Sequence, residues 1–131
     1  MSETIKIAAA AIMNSAHQML LVRKRGTTAY MQPGGMIDMG ETPIQALRRE
    51  LGEELNLHLP GDDIEFIGDF QAEAANEPNC TVSAAIFRLD HDGPFEPAAE
   101  IEAITWYPDA QSGPIELAPL TRDHVLPASG V

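Results

Sequence analysis

Five residues within fourteen positions carry charge in a pattern that could do chemistry: Glu41, Arg49, Glu50, Glu53 and Glu54. Carboxylates this close repel one another, and a fold tolerates that when a cation sits among them. Oxygen-only ligands suit a hard divalent ion, Mg²⁺ or Mn²⁺. A blander reading is open to any charge run, namely the solvated face of a surface helix. What separates the two is whether the chain builds an element that gathers these side chains at one place.

The sequence argues for such an element between residues 43 and 55. Thr42 is a good N-cap, Pro43 suits the first helical position, and Gln45 completes a capping box with Thr42. At the helical period, Ile44, Leu47, Leu51 and Leu55 fall on one apolar arc, the side that should enter a core. Glu50 and Glu54 are four apart and stack at the edge of that arc, with Glu53 beside them toward solvent. Arg49 can pair with Glu53, four residues on, or reach back to Glu41. Asn56 falls at the C-cap, where a left-handed residue is wanted and Asn is the best substitute for Gly. Gly52 has no such account, since a glycine inside a helix costs about 1 kcal/mol against alanine.

Composition narrows the partners. The net charge is −12, with 8 Lys and Arg. Nucleic-acid polymers call for a basic footprint, so they are not expected as partners. A small nucleotide is compatible with the acidity, because bound divalent ions reverse the local sign. Three of the basic residues, Arg23, Lys24 and Arg25, stand together before a Pro33-Gly34-Gly35 loop in which backbone could approach a ligand. Arg23 and Arg25 share one face of a strand and Lys24 takes the other, so the arginines are the candidate phosphate clamp; a polar strand end is the plain alternative. Tyr30 could stack on a base or fill the core. No apolar run is long enough to span a membrane. The first residues read as a strand and not a signal peptide. A lone cysteine, Cys80, excludes an internal disulfide, and a cytoplasmic setting is expected.

The remaining elements follow from alternation and punctuation. Strands are expected at 4–13 and 18–25, joined as a hairpin through Asn14–His17, then at 64–72, 81–89 and 101–107. Turns or loops are expected at 60–62, 73–79 and 91–98. The 73–79 loop, with Asn76 and Glu77, could touch substrate or a second subunit of a homodimer. A short C-terminal helix is expected over 119–127, with Thr121 as its N-cap. His17, His58, His91 and His124 are scattered and read as structural or solvated. The whole reads as one mixed α/β domain over 1–131 with a single strong helix.

The run GMIDMGETPIQALRRELGEELNL, from Gly35 to Leu57, resembles the Nudix box. Gly35, Glu41, Arg49, Glu50, Leu51, Glu53, Glu54 and Leu57 match in register, and only Asn56 departs, standing where the box has glycine. Leu20, Leu21 and Arg23, the Tyr30…Pro33-Gly34-Gly35 segment, and Glu100-Ile101 before Trp106 extend the likeness over about residues 4 to 107. The resemblance, MutT-type in character, implies an α/β/α sandwich around a mixed central sheet. It implies metal-dependent hydrolysis of a nucleoside diphosphate linked to another group. Glu50 and Glu54 would be the principal ligands of Mg²⁺ or Mn²⁺, Glu53 a third, with the Gly34 carbonyl and Glu100 completing the set. Arg49 would orient a box glutamate, and Glu41 would fix Arg49 or hold a metal-bound water. The base that deprotonates the attacking water stays open among Glu53, Glu50 and Glu100. The residue before Pro33 is usually apolar in such proteins; here it is Gln32, a candidate specificity residue against a default of mere solvation. The rival implication is a nucleotide-binding module or sensor that has lost catalysis, whose signature would be eroded glutamates.

Overall fold

A computed structural model describes residues 3–59, 63–74, 79–109 and 114–130. Its centre is β1, Glu3–Met13, a strand buried on both faces from Ala8 onward. Small side chains suit that position, because two layers pack against the same strand. Alternation divides the layers cleanly. Ala8, Ala10 and Ile12 enter one core, and Ala9, Ala11 and Met13 enter the other.

The strands β2 (Met19–Lys24), β3 (Gly34–Met36), β4 (Glu65–Glu73), β5 (Cys80–Asp90) and β6 (Ile101–Tyr107) complete a six-stranded sheet. Five of the strands run in the order β4-β5-β1-β2-β6, and β3 pairs with β1 off this path. The β1–β5 pair is parallel and the other pairs are antiparallel, so the sheet is mixed. The helix α1, Pro43–Leu55, covers one face with Ala46, Leu47, Leu51 and Leu55. The other face is covered by Leu120, Val125 and Leu126, from a π-helical turn, Thr121–Val125, and the one-turn α2, Leu126–Ala128. This is the α/β/α sandwich expected from the sequence.

Three expectations need correction. The 4–13/18–25 hairpin exists only at its closed end, where Met13 pairs with Met19. Beyond that the two strands diverge and the segment 31–36 fills the gap. Met31 exchanges backbone hydrogen bonds with Val22, both 2.8 Å, and Gly34–Met36 pairs with β1. The Gly34-Gly35 stretch is therefore a short inserted strand and not a loop. At the C-terminus Thr121 lies inside the helical segment, fully buried, and does not cap it. The turn expected at 60–62 and the Asn76–Pro78 part of the polar loop lie outside the described residues. Among the described residues no helix is long and apolar enough to cross a membrane.

Candidate active site

The capping chemistry of α1 fixes where its carboxylates point. Thr42 Oγ1 accepts from the Gln45 N–H at 3.3 Å, and Gln45 Oε1 accepts from the Thr42 N–H at 2.9 Å. At the other end Asn56 is left-handed at φ 52° and its N–H bonds the Gly52 carbonyl at 3.2 Å. Gly52 lies beside His58: a Cβ on it would stand 2.9 Å from His58 Cε1, the far end of an exposed side chain.

Arg49 is the hub of the acidic stretch. Its Nε and Nη2 donate to the two oxygens of Glu41, both at 2.9 Å, in a bidentate fork. Its Nη1 donates to Glu50 Oε1 at 2.9 Å and lies 3.5 Å from Glu53, while Nη2 also reaches the Met36 carbonyl at 3.1 Å and Asp38 at 3.3 Å. Both sequence-level options for Arg49 are thus realised, with Glu41 the closer partner. The fork from Arg49, helped by the Asp38 N–H, holds the Glu41 carboxyl down at about 2. Glu41 in turn raises the Arg49 guanidinium, with Glu50 adding to it. Asp38 is a member of this cluster that sequence reasoning left aside.

Glu54 is the buried carboxylate of the site, 5% exposed. Its Oε1 accepts the Gly34 N–H at 3.1 Å. Gly34 faces Ala9 across the ladder, and the adjacent bond runs from the Ala10 N–H to the Pro33 carbonyl. Both backbone groups of Gly34 therefore turn away from β1, so its carbonyl lies on the same side as its N–H and Glu54. Burial pushes the Glu54 carboxyl up to about 7; Lys24 and the Gly34 N–H pull the other way, and the Glu50 and Glu53 charges add to the rise. Gly35 is needed for a different reason. A Cβ there would sit 2.6 Å from Glu50 Oε1, so the glycine leaves the room this carboxylate occupies.

Glu100 reaches the same place from the far side. The Ala98 N–H bonds the Glu54 carbonyl at 2.8 Å, Ala99 is left-handed at φ 55°, and the Glu100 carbonyl accepts the Arg25 N–H at 2.8 Å. A depression of about 360 Å³ results, lined by Lys24, Gly35, Met36, Glu50, Glu53, Glu54, Ala99 and Glu100. Glu102 turns elsewhere and pairs with Arg25 at 3.5 Å.

The basic run is placed opposite to expectation. Lys24 lines the acidic depression, whereas Arg23 donates to the Thr27 carbonyl at 2.9 Å and lies 5.9 Å over the Tyr30 ring. Arg25 is exposed beside Glu102. Of the two options for Tyr30 the core is realised: it packs against the second core and does not line the clefts described here. The signal for Lys24 was in the sequence. Leu20 and Val22 pack on the α1 side and Met19 and Leu21 on the other, so alternation carries Lys24 toward α1 and Arg23 away from it.

A second cleft, about 340 Å³, shares Lys24, Gly35, Met36 and Glu100 with the first. Its walls are mainly apolar, including Ile5, Ile7, Met31, Val82 and Leu120. Gln32 lines it too, and it is not solvated: it is 5% exposed, and its Oε1 accepts from Thr121 Oγ1 at 2.9 Å. Sequence reasoning missed Thr121 as its partner, since the contact spans 89 residues.

The donor set can be weighed against a divalent cation. Among the described residues no three acidic or histidine side chains are drawn together closely enough to chelate an ion as they stand. Glu54 is engaged by Gly34 and Glu50 by Arg49. The chemistry nonetheless fits: four carboxylates and a backbone carbonyl, all hard oxygen donors, line or flank one depression, and Lys24 and the Gly34 N–H offset part of the cost of burying Glu54.

Comparison with known proteins places this geometry in a wider group. Residues 4–128 match the family model of the NUDIX domain. The chain is 45% identical over 47 residues to the RNA pyrophosphohydrolase of Psychrobacter cryohalolentis, covering 36% of this chain and 27% of that protein. It is 42% identical over 57 residues to the 8-oxo-dGTP diphosphatase of Haemophilus influenzae, covering 40% and 42%. The matches thus span roughly a quarter to two fifths of these relatives' length. In three dimensions the chain resembles the MutT NUDIX hydrolase of Burkholderia pseudomallei with a TM-score of 0.75, at 21% identity and 98% coverage of both chains.

Proposed function

This chain belongs to the NUDIX family, and from that premise we propose that its paired clefts hydrolyse a nucleoside diphosphate joined to a further group, using Mg²⁺ or Mn²⁺. The observation that carries the reading is the depression in which Glu50, Glu53, Glu54 and Glu100 stand with Lys24 beside an apolar cleft sized for a nucleoside. The names of the partial relatives, a pyrophosphohydrolase and a diphosphatase, support the same class of bond.

Glu50, Glu53, Glu54, Glu100 and the Gly34 carbonyl would hold the cation. Bound there, it would neutralise the diphosphate oxygens and polarise the phosphorus toward attack. Arg49, fixed by Glu41, keeps Glu50 in place and lets the close-packed carboxylates coexist. Lys24 takes the phosphate-contacting role first sought at Arg23 and Arg25. Among the described residues Lys24 is the basic residue lining both clefts, so its ammonium can hold the substrate across their junction. A carboxylate oxygen must accept the proton of the attacking water. Glu50 Oε1 is already taken by Arg49, so the exposed Glu53 and Glu100 are better placed for it.

The test is a panel of nucleoside triphosphates, sugar nucleotides and dinucleoside polyphosphates, incubated with Mg²⁺ or with a chelator and resolved by chromatography. Cleavage of at least one of them, only with metal, is expected. A panel left intact under both conditions would refute the reading.

A further inference from the structure

We propose that Gln32 selects the nucleobase, favouring one that carries a carbonyl where adenine carries an amino group, and that Thr121 is the residue positioning it; this rests on the reading that the apolar cleft takes a nucleoside.

The argument begins with what an amide does in an apolar wall. Gln32 is 5% exposed, and a buried amide is costly unless its polar atoms find partners. Its Oε1 has one in Thr121 Oγ1, 2.9 Å away. Its Nε2 lies 3.5 Å from Met19 Sδ, a weak acceptor. That accounts for one of its two hydrogens, and the other has no acceptor among the described residues.

The orientation of the amide is determined by the same neighbours. A thioether has no hydrogen to give, so turning the amide over would set Oε1 against a group that cannot donate. Thr121 is wholly buried in the π-helical turn, lines the same cleft, and its hydroxyl donates to Oε1. What Gln32 offers the cleft is thus an N–H donor. The charged residues around this cleft, Lys24, Glu73 and Glu100, are partly or fully exposed.

A donor on an apolar floor distinguishes base edges by their pattern. A carbonyl at position 6 of a purine, or position 4 of a pyrimidine, accepts from it. An amino group at that position brings hydrogen against hydrogen, leaving both groups unpaired where water is excluded. Sites built on such a buried bond reject the analogue that cannot make it more strongly than apolar pockets reject a change of size.

Inosine and adenosine monophosphate isolate this difference, since they differ only in 6-oxo with N1–H against 6-amino with bare N1. Their binding would be measured by titration calorimetry in Mg²⁺ buffer on the full chain. Wild-type protein is expected to bind inosine monophosphate about 10-fold more tightly. Gln32→Leu should bring the ratio near one, and Gln32→Met serves the same purpose if the leucine variant does not fold. Thr121→Val should lower the ratio by freeing the amide to turn, and Thr121→Ser, which keeps the hydroxyl, should restore it. Equal wild-type affinities, no detectable binding of inosine monophosphate, or an unchanged ratio in a folded Gln32 variant would each overturn the proposal. The outcome is separable from catalysis. A binding preference in a protein that cleaves no nucleotide would retain this inference and refute the hydrolase reading, and cleavage without the preference would do the reverse.

Discussion

At the scale of single residues, two carboxylates with opposite environments set the behaviour of the site. Glu41, held down at about 2 by Arg49, favours the folded state once it is ionised. Its contribution is present above the ordinary value of 4.5 and is lost as pH falls toward 2. Glu54 has the opposite sign. Its folded carboxyl is raised from 4.5 to about 7, so the stability tied to its neutral form is full below 4.5 and declines as pH rises to 7. Stability of the protein in a chelator should therefore peak near the boundary between the two windows. The decline on the neutral side should be on the order of 3 kcal/mol. Denaturant midpoints across pH would measure it, and Glu54→Gln should flatten the neutral limb while leaving the acid limb. A neutral limb of the same slope in that variant would show that Glu54 is not its source.

Lys24 and Glu100 yield a second pair of expectations. Lys24→Ala should raise KM by about 10-fold with a smaller effect on kcat, as loss of uniform binding does. Arg23→Ala and Arg25→Ala should change KM by less than about 3-fold. Glu100→Gln should cost about 10-fold or more in kcat, whereas Glu102→Gln, aimed at Arg25, should cost less than about 3-fold. Steady-state kinetics on the six proteins, wild type included, decides both, and a larger effect at Arg23 or Glu102 would contradict the assignment.

At the scale of elements, α1 was legible from the sequence because its signals are local. Thr42, Pro43 and Gln45 mark its start, Asn56 marks its end, and the Leu47–Leu51–Leu55 arc marks its buried side. The strand order and the placement of β3 were not legible, because they depend on pairings between distant segments. Nothing near Gly34 says that it will lie against Ala9, and nothing near Gln32 says that Thr121 will meet it. Lys24 was legible in principle, through the faces of Leu20 and Val22, but which face of the strand meets α1 is settled only by the packing of the two layers. The two special glycines make opposite predictions. Gly35→Ala should displace the Glu50 carboxylate and lower turnover by about 10-fold or more while the protein stays folded. Gly52→Ala should raise stability by about 0.5 kcal/mol, because helix propensity improves and the exposed His58 ring can move out. Urea midpoints check the second; a loss of stability there would mean that His58 is held in place against α1.

At the scale of the molecule, the sandwich serves to bring three separate segments to one spot. α1 supplies Glu50, Glu53 and Glu54, the inserted β3 supplies Gly34 and Gly35, and the approach to β6 supplies Glu100. The net charge of −12 then has a local meaning. Part of it is concentrated where a divalent ion would relieve it, so millimolar Mg²⁺ should raise the melting temperature beyond a matched monovalent-salt control. The central claim is that this carboxylate set holds the ion on which hydrolysis depends. It is tested most directly by measuring kcat on the best nucleotide of the panel as a function of Mg²⁺ in wild type, Glu54→Gln and Glu102→Gln. Wild type and Glu102→Gln should be inactive in chelator and saturate together, while Glu54→Gln should turn over about 100-fold more slowly at any Mg²⁺ concentration. Full turnover by Glu54→Gln, or metal-independent turnover by wild type, would contradict the account.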